Sequence, residues 1–272
     1  AERLFEILDE EEEVEPNEEH PTTFSNGDIE FHNVSFSYTS DNPLLSSFNL
    51  FIPAGKTTAF VGATGSGKTT IINLIGRFYE INSGKITING IDLSQLNRSE
   101  INKHIGFVLQ DVFLFSDTIH NNITLGNQAI SREQVIQAAK KIGAHDFIMK
   151  IPQDYDHVIG ERGGVLSVGQ RQLLAFIRAM VYEPVILILD EATSSIDSES
   201  EILIQKAIAE VTKNRTSIII AHRLSTIQQA DQIHVMEKGQ IIQTGTHASL
   251  LSVEGAYKTL FEKQFNELDE KV

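Results

Sequence analysis

The chain has no cysteine among its 272 residues, which excludes disulfides and thiolate metal sites and suits a reducing, cytosolic setting. It contains no run near the roughly 18 apolar residues that would span a bilayer, and its start shows no charged-then-apolar secretion signal. Basic residues are scarce: 22 Lys and Arg face 37 Asp and Glu, a net charge of −15. Nucleic-acid binding calls for a basic face, so a phosphate-backbone partner is disfavoured. Metal-ligand spacing is missing as well. His20, His145 and His157 do not fall into such a spacing, no H-E-x-x-H occurs, and Ser167 has no histidine base in an elbow context. No repeat with a period of about 20–50 residues is found.

What remains is the composition of an ordinary globular protein, 41% hydrophobic and 22% charged, sufficient for one large core or two unequal ones. The acidity is partly local. Eight acids crowd between Asp9 and Glu19, and without them 29 acids face 22 bases. That stretch has the composition of a solvated linker. Ahead of it, residues 1–8 read as a short helical piece with Leu4, Phe5 and Leu8 on one side, and a first residue that is Ala rather than Met suggests a piece cut from something longer.

The most informative residues are Gly62-Ala63-Thr64-Gly65-Ser66-Gly67-Lys68-Thr69, which meet every position of the phosphate-loop pattern G-x-x-x-x-G-K-[ST]. An apolar run, 57–61, leads in and a helix-like pattern, 69–79, leads out. Glycines let consecutive backbone N–H groups turn inward around phosphate oxygens, and the helix that follows directs its positive dipole end at them. Lys68 reaches the terminal phosphates and Thr69 offers a hydroxyl to Mg²⁺. The loop is built for a nucleoside triphosphate.

Several β-rich runs stop at polar residues: 57–61 at Gly62, 105–109 at Gln110, 185–189 at Asp190 and 216–221 at His222. Continuous apolar runs belong to strands buried on both faces, hence to a parallel sheet covered by helices, whose ligands sit at the carboxyl ends of the strands. Helix-patterned segments lie at 69–79, 131–150, 170–182 and 198–213. Period-two alternation at 28–38, 44–52 and 85–93 predicts a half-exposed antiparallel sheet in front. Residues from about 112 to 182 contain no convincing strand and read as a helical insertion.

From residue 28 to about 265 the chain resembles the nucleotide-binding domain of ATP-binding cassette (ABC) transporters, of the exporter type. Beyond the phosphate loop, Gln110 is similar to the Q-loop glutamine and Gly160-Glu161-Arg162-Gly163 to the exporters' X-loop. Leu166-Ser167-Val168-Gly169-Gln170 resembles the signature L-S-G-G-Q, and 185–191 the Walker B strand with its catalytic glutamate. Ser194-Ser195-Ile196-Asp197 resembles the D-loop and His222 the switch histidine. Tyr38, 24 residues ahead of Gly62, resembles the A-loop aromatic that stacks on adenine, although Phe36 shares its face and plain sheet packing is the alternative.

The resemblance implies an α/β P-loop fold: a mainly parallel catalytic sheet, an antiparallel β layer and a helical subdomain, about 112–182, carrying the signature. Residues 1–24 would be a linker from an absent transmembrane domain and 25–272 the ATPase domain. Nucleotide contacts fall to Tyr38, to Gly62, Ala63, Thr64, Gly65, Ser66, Gly67, Lys68, Thr69 and Thr70, and to Gln110. Ser167, Gly169, Gln170 and Asp197 would face the nucleotide of a second ABC ATPase domain, so that two ATP molecules are sandwiched head to tail.

Asp190 closes an apolar strand, where a lone carboxylate is costly unless it meets a cation, so it joins Thr69 and Gln110 at Mg²⁺. Glu191 shares the nucleotide with Asp190 only if the strand ends there and the chain turns. It would then polarise the attacking water while His222 holds the γ-phosphate. Val168 departs from the signature's usual glycine and costs little if its backbone is right-handed or extended. The apolar Val112, Phe113, Leu114 and Phe115 are either core or the socket for an intracellular helix of a transmembrane part. The implied activity is ATP hydrolysis driving export at the cytoplasmic face of a cell membrane, with the fragment itself soluble and no nucleic-acid partner. A non-transport ABC ATPase acting on DNA or ribosomes is the alternative, and a binding-only half of an asymmetric pair is a third reading.

Overall fold

Three of the four apolar runs, 57–61, 185–189 and 216–221, become the middle of a six-stranded sheet, and the fourth, at 105–108, becomes its edge. In a computed structural model, residue 24 and residues 27–39, 42–160, 166–191, 198–221 and 223–269 are described, with the side chains of 191, 198, 199 and 264–269 left aside. The strands are β1 (Ile29–Ser37), β2 (Pro43–Ile52), β3 (Thr57–Val61), β4 (Ser83–Ile88), β5 (Ile91–Asp92), β6 (Ile105–Val108), β7 (Ile186–Glu191), β8 (Thr216–Ala221), β9 (Gln232–Glu237) and β10 (Gln240–Gly245). The six-stranded sheet runs β10-β9-β3-β8-β7-β6, parallel except for the β10 edge. A second sheet, β2-β1-β4-β5, is antiparallel throughout.

The helices are α1 (Lys68–Ile75), α2 (Arg98–His104), α3 (Ile119–Thr124), α4 (Arg132–Ile142), α5 (His145–Met149), α6 (Val168–Tyr182), α7 (Ser198–Val211), α8 (Leu224–Gln228), α9 (His247–Leu251) and α10 (Ala256–Asp269). Because successive strand residues point to opposite faces, each parallel strand feeds two cores. Ala59, Val61, Leu187, Leu189, Ile219 and Ile233 join Val135 of α4, Leu173 and Phe176 of α6 and Ile204 of α7. Their neighbours Phe60, Ile186, Ile188, Ile218 and Ile220 join Ile71, Ile72 and Ile75 of α1 and the apolar face of the antiparallel sheet. The fold is the α/β P-loop architecture expected, with α1 held between the two sheets.

Two local expectations need correction. The pattern read as one helix over 131–150 is two, because Gly143 adopts φ 80° and ends α4. The helix after the phosphate loop stops at Ile75, where Gly76 caps it and Arg77 turns to φ 51°. Strands β9 and β10 received no reading from the sequence, yet β9 lies directly against β3, with Phe60 opposite His234.

His234 sets a pH dependence. It is 4% exposed, packs against Phe60 at 5.3 Å between ring centres and pairs its Nδ1 with Thr244 Oγ1 at 2.9 Å. Burial holds its pKa down to about 4, against an ordinary 6.5. The unfolded chain therefore binds the proton more readily, so this contribution is complete above about pH 6.5 and is lost as pH falls through about 4. Its size is about 3 kcal/mol. Urea unfolding of the parent should lose that much more between pH 7 and 4 than His234→Gln does; identical losses would show that His234 is not the group responsible.

Candidate nucleotide-binding site

Gly62 follows the last residue of β3, and the chain there passes so close to β9 that no side chain fits. A Cβ on Gly62 would lie 2.2 Å from Met236 O, and its φ is 147°. The loop turns on a hydrogen bond from Ser66 N–H to Ala63 O at 3.1 Å and enters α1 through Gly67. The first amides of α1 have no partners within the helix, so they are available to an anion. Lys68, only 6% exposed, donates from Nζ to Gly62 O at 2.9 Å and Ala63 O at 3.0 Å. Burial lowers its pKa and the Asp190 carboxylate raises it. The ammonium is thus held dry, in the field of the carboxylate that ends the apolar part of β7.

Tyr38, Leu44, Thr64, Gly65, Gly67, Lys68, Thr69, Thr70, Gln110 and Asp190 line one cleft of about 420 Å³. The carboxyl ends of the strands explain their convergence: Phe60 of β3 and Asp190 of β7 both stand opposite Ile220 of β8. Tyr38 is half-exposed while Phe36, on the same face, is buried, and their rings meet edge to face at 4.8 Å. Tyr79 meets Tyr38 the same way at 5.0 Å. The Tyr38 hydroxyl lies 3.1 Å from Thr70 Oγ1, so Thr70 supports the ring from the first turn of α1. Leu44, which the sequence reading did not single out, carries no motif; its place in the cleft comes from β2 lying beside β1.

The signature residues lie elsewhere. Ser167 caps α6: its Oγ accepts from Gln170 N–H at 3.2 Å, and Ser167 N–H donates to Gln170 Oε1 at 3.0 Å. Val168 is the first helical residue and has no positive φ, so it carries no strain. Gly169 is buried behind it. Val168 and Arg171 line a second cleft with Gln110, Asp111, Val112, Phe113 and Leu114. Gln110 therefore borders both clefts. Of the apolar run, Leu114 is buried, whereas Phe113 and Phe115 are 65% and 55% exposed and pack edge to face.

Glu191 ends β7 opposite Ala221, the last residue of β8; its side chain, Asp197, His222 and X-loop residues Glu161, Arg162 and Gly163 lie outside the described residues. Among the described residues no three His, Asp or Glu side chains gather as a metal cluster. Thr69, Gln110 and Asp190 offer the hard oxygen atoms that Mg²⁺ prefers, and such an ion usually takes its remaining ligands from phosphates and water.

A phosphate loop at the end of a central parallel strand, an Asp at the end of a nearby one and an aromatic beside the cleft define a P-loop nucleoside-triphosphate-binding protein. The model of the ABC transporter family matches residues 45–194, more than half of the chain, and the protein belongs to that family as an ATP-binding, ATPase-type domain. It is 49% identical to the ABC transporter ATP-binding protein YfiC of Bacillus subtilis, over 97% of this chain and 44% of that protein. It is 46% identical to an ATP-binding/permease protein of Staphylococcus aureus whose name points to multidrug export, over 96% of this chain and 46% of that protein. A bacterial Atm1-family ABC exporter solved with ATP bound superposes with a TM-score of 0.88 at 38% identity, over 97% of this chain and 46% of the exporter chain. The chain thus spans less than half the length of these relatives. These relatives are ABC transporter ATP-binding proteins by name, one of them named for multidrug export, and one solved ABC exporter.

Proposed function

We propose that this chain is the ATP-hydrolysing motor of a membrane exporter, working as a head-to-tail pair that closes on two ATP molecules and opens after hydrolysis. The observation that carries the proposal is the separation of two half-sites. The phosphate loop, Tyr38 and Asp190 line one cleft, while the capped N-terminus of α6 and Val168 lie away from it. The phosphate loop and the N-terminus of α6 line different clefts, and a second copy, or a similar domain, turned end to end would bring each to the other's complement.

In this reading the backbone amides of residues 62–70 and the Lys68 ammonium take the triphosphate, and Tyr38 stacks on the base. Thr69, Gln110 and Asp190 hold Mg²⁺, which supplies charge neutralisation of the phosphates when bound. Glu191 takes a proton from the attacking water, and His222 hydrogen-bonds the γ-phosphate and fixes the line of attack. Ser167, Gly169, Gln170 and Asp197 complete the partner's site. Gln110 couples the nucleotide cleft to the second cleft, whose exposed Phe113 supports docking of a transmembrane part on the cytoplasmic side of the membrane. Among the described residues no helix is long and apolar enough to cross a membrane. ATPase assays test the reading: turnover that rises more than linearly with protein concentration supports a working pair, and strictly proportional turnover at all concentrations contradicts it.

Tyr38→Ala isolates the base contact. A stacked base is worth about 1–3 kcal/mol, so the dissociation constant for ATP should rise about tenfold or more by calorimetry. Because stacking reads the flat face of a base, GTP affinity should fall alongside. An unchanged constant would leave Tyr38 as packing for Phe36 and Tyr79.

A further inference from the structure

The turn joining β9 to β10 touches both walls of the nucleotide cleft. Lys238 and Gly239 have φ of 47° and 75°, the left-handed pair of a two-residue hairpin turn. Gly239 N–H donates to Ser66 O at 2.9 Å, which bonds the turn to the phosphate loop itself. On its other side a Cβ on Gly239 would lie 1.7 Å from Leu44 O, and Leu44 lines the cleft near Tyr38. Met236 reaches both ends of the loop. Its carbonyl oxygen blocks a side chain at Gly62, and its Cε would be 3.3 Å from a Cβ on Gly67. Gln240 Nε2 adds a bond to Ser46 O of β2 at 3.4 Å.

We infer that the 236–239 turn is a clamp that fixes the distance between the base wall and the phosphate loop, making Gly239 and Met236 positioning residues for the triphosphate. The inference deepens the nucleotide-binding reading above and rests on it. Its physical basis is what holds the loop once it is filled. Lys68 ties the loop through side-chain bonds to the Gly62 and Ala63 carbonyls, bonds that an ammonium turning to phosphate would give up. The bond from Gly239 N–H to Ser66 O joins backbone to backbone and would persist. Phosphate binding by several converging amides tolerates only about half an ångström of misplacement, so the clamp keeps the loop in its binding shape as the lysine leaves.

The test is amide hydrogen exchange of the nucleotide-free protein across residues 62–70, together with ATP affinity, in Gly239→Ala and Met236→Leu. Gly239→Ala places a methyl against Leu44 O; loop exchange should rise about tenfold and the ATP dissociation constant by a similar factor, with exchange in β6, β7 and β8 unchanged. Met236→Leu conserves volume and should raise loop exchange about threefold, deciding the matter if Gly239→Ala does not fold. Parent-like loop exchange in the folded variant, or a rise spread evenly over both sheets, overturns the clamp. Raised loop exchange in a protein whose parent binds no ATP would instead remove the nucleotide reading and leave the coupling of turn and loop in place.

Discussion

Lys68→Ala will abolish retention of ATP while leaving the protein folded. Lys68 is nearly enclosed, and burial already lowers its affinity for a proton, so an ammonium there is costly unless an anion meets it. Asp190 supplies part of that compensation and the loop carbonyls another part. A triphosphate would supply far more. Charge-assisted hydrogen bonds contribute about 1.5–3 kcal/mol each, so losing the ammonium should raise the ATP dissociation constant about a hundredfold or more. Folding stability should move little, because the desolvation cost disappears along with the bonds. Calorimetric titration with Mg-ATP, alongside thermal unfolding without nucleotide, reads both quantities. Undiminished binding would remove Lys68 from the site.

Glu191→Gln will keep ATP bound and stop its turnover. The substitution preserves shape and removes only the carboxylate's capacity to take a proton, and general-base catalysis contributes about 10²–10⁴-fold. Glu191 stands where the chain leaves β7, one residue beyond Asp190 and opposite the end of β8, at the edge where Lys68, Thr69 and Asp190 share a cleft. The expected result is a loss of at least about a hundredfold in steady-state phosphate release, with the ATP dissociation constant within twofold of the parent. A variant that hydrolyses at the parental rate would show that Glu191 is not the base.

Much of this was legible because the chemistry of a phosphate loop leaves few sequence choices. Gly62 has no room for a side chain, and the residues after Gly67 must begin a helix, so the pattern and its strand–loop–helix setting appear together. The buried strands were equally plain, since Ile186 through Leu189 face two cores at once and cannot alternate with polar residues. Strand β9 escaped because Gln232, His234 and Glu237 interrupt its apolar character, and its partner β10 alternates intermediate and exposed positions at the sheet edge. The contact of that hairpin with the loop is long-range and backbone-made, so side-chain patterns carry no sign of it. Val168 was open to two backbone conformations from sequence alone. Its place as the first residue of α6, after the Ser167 cap, decides for the unstrained one.

The account rests on nucleotide held at one domain's sheet edge drawing in a second domain. Light scattering of Glu191→Gln with saturating Mg-ATP tests it most directly, with the Lys68→Ala, Glu191→Gln double variant beside it. The predicted result is a doubling of molar mass for the single variant on adding Mg-ATP, none with ADP, and none at all for the double variant. A single variant that remains monomeric while calorimetry shows its cleft filled would contradict the account.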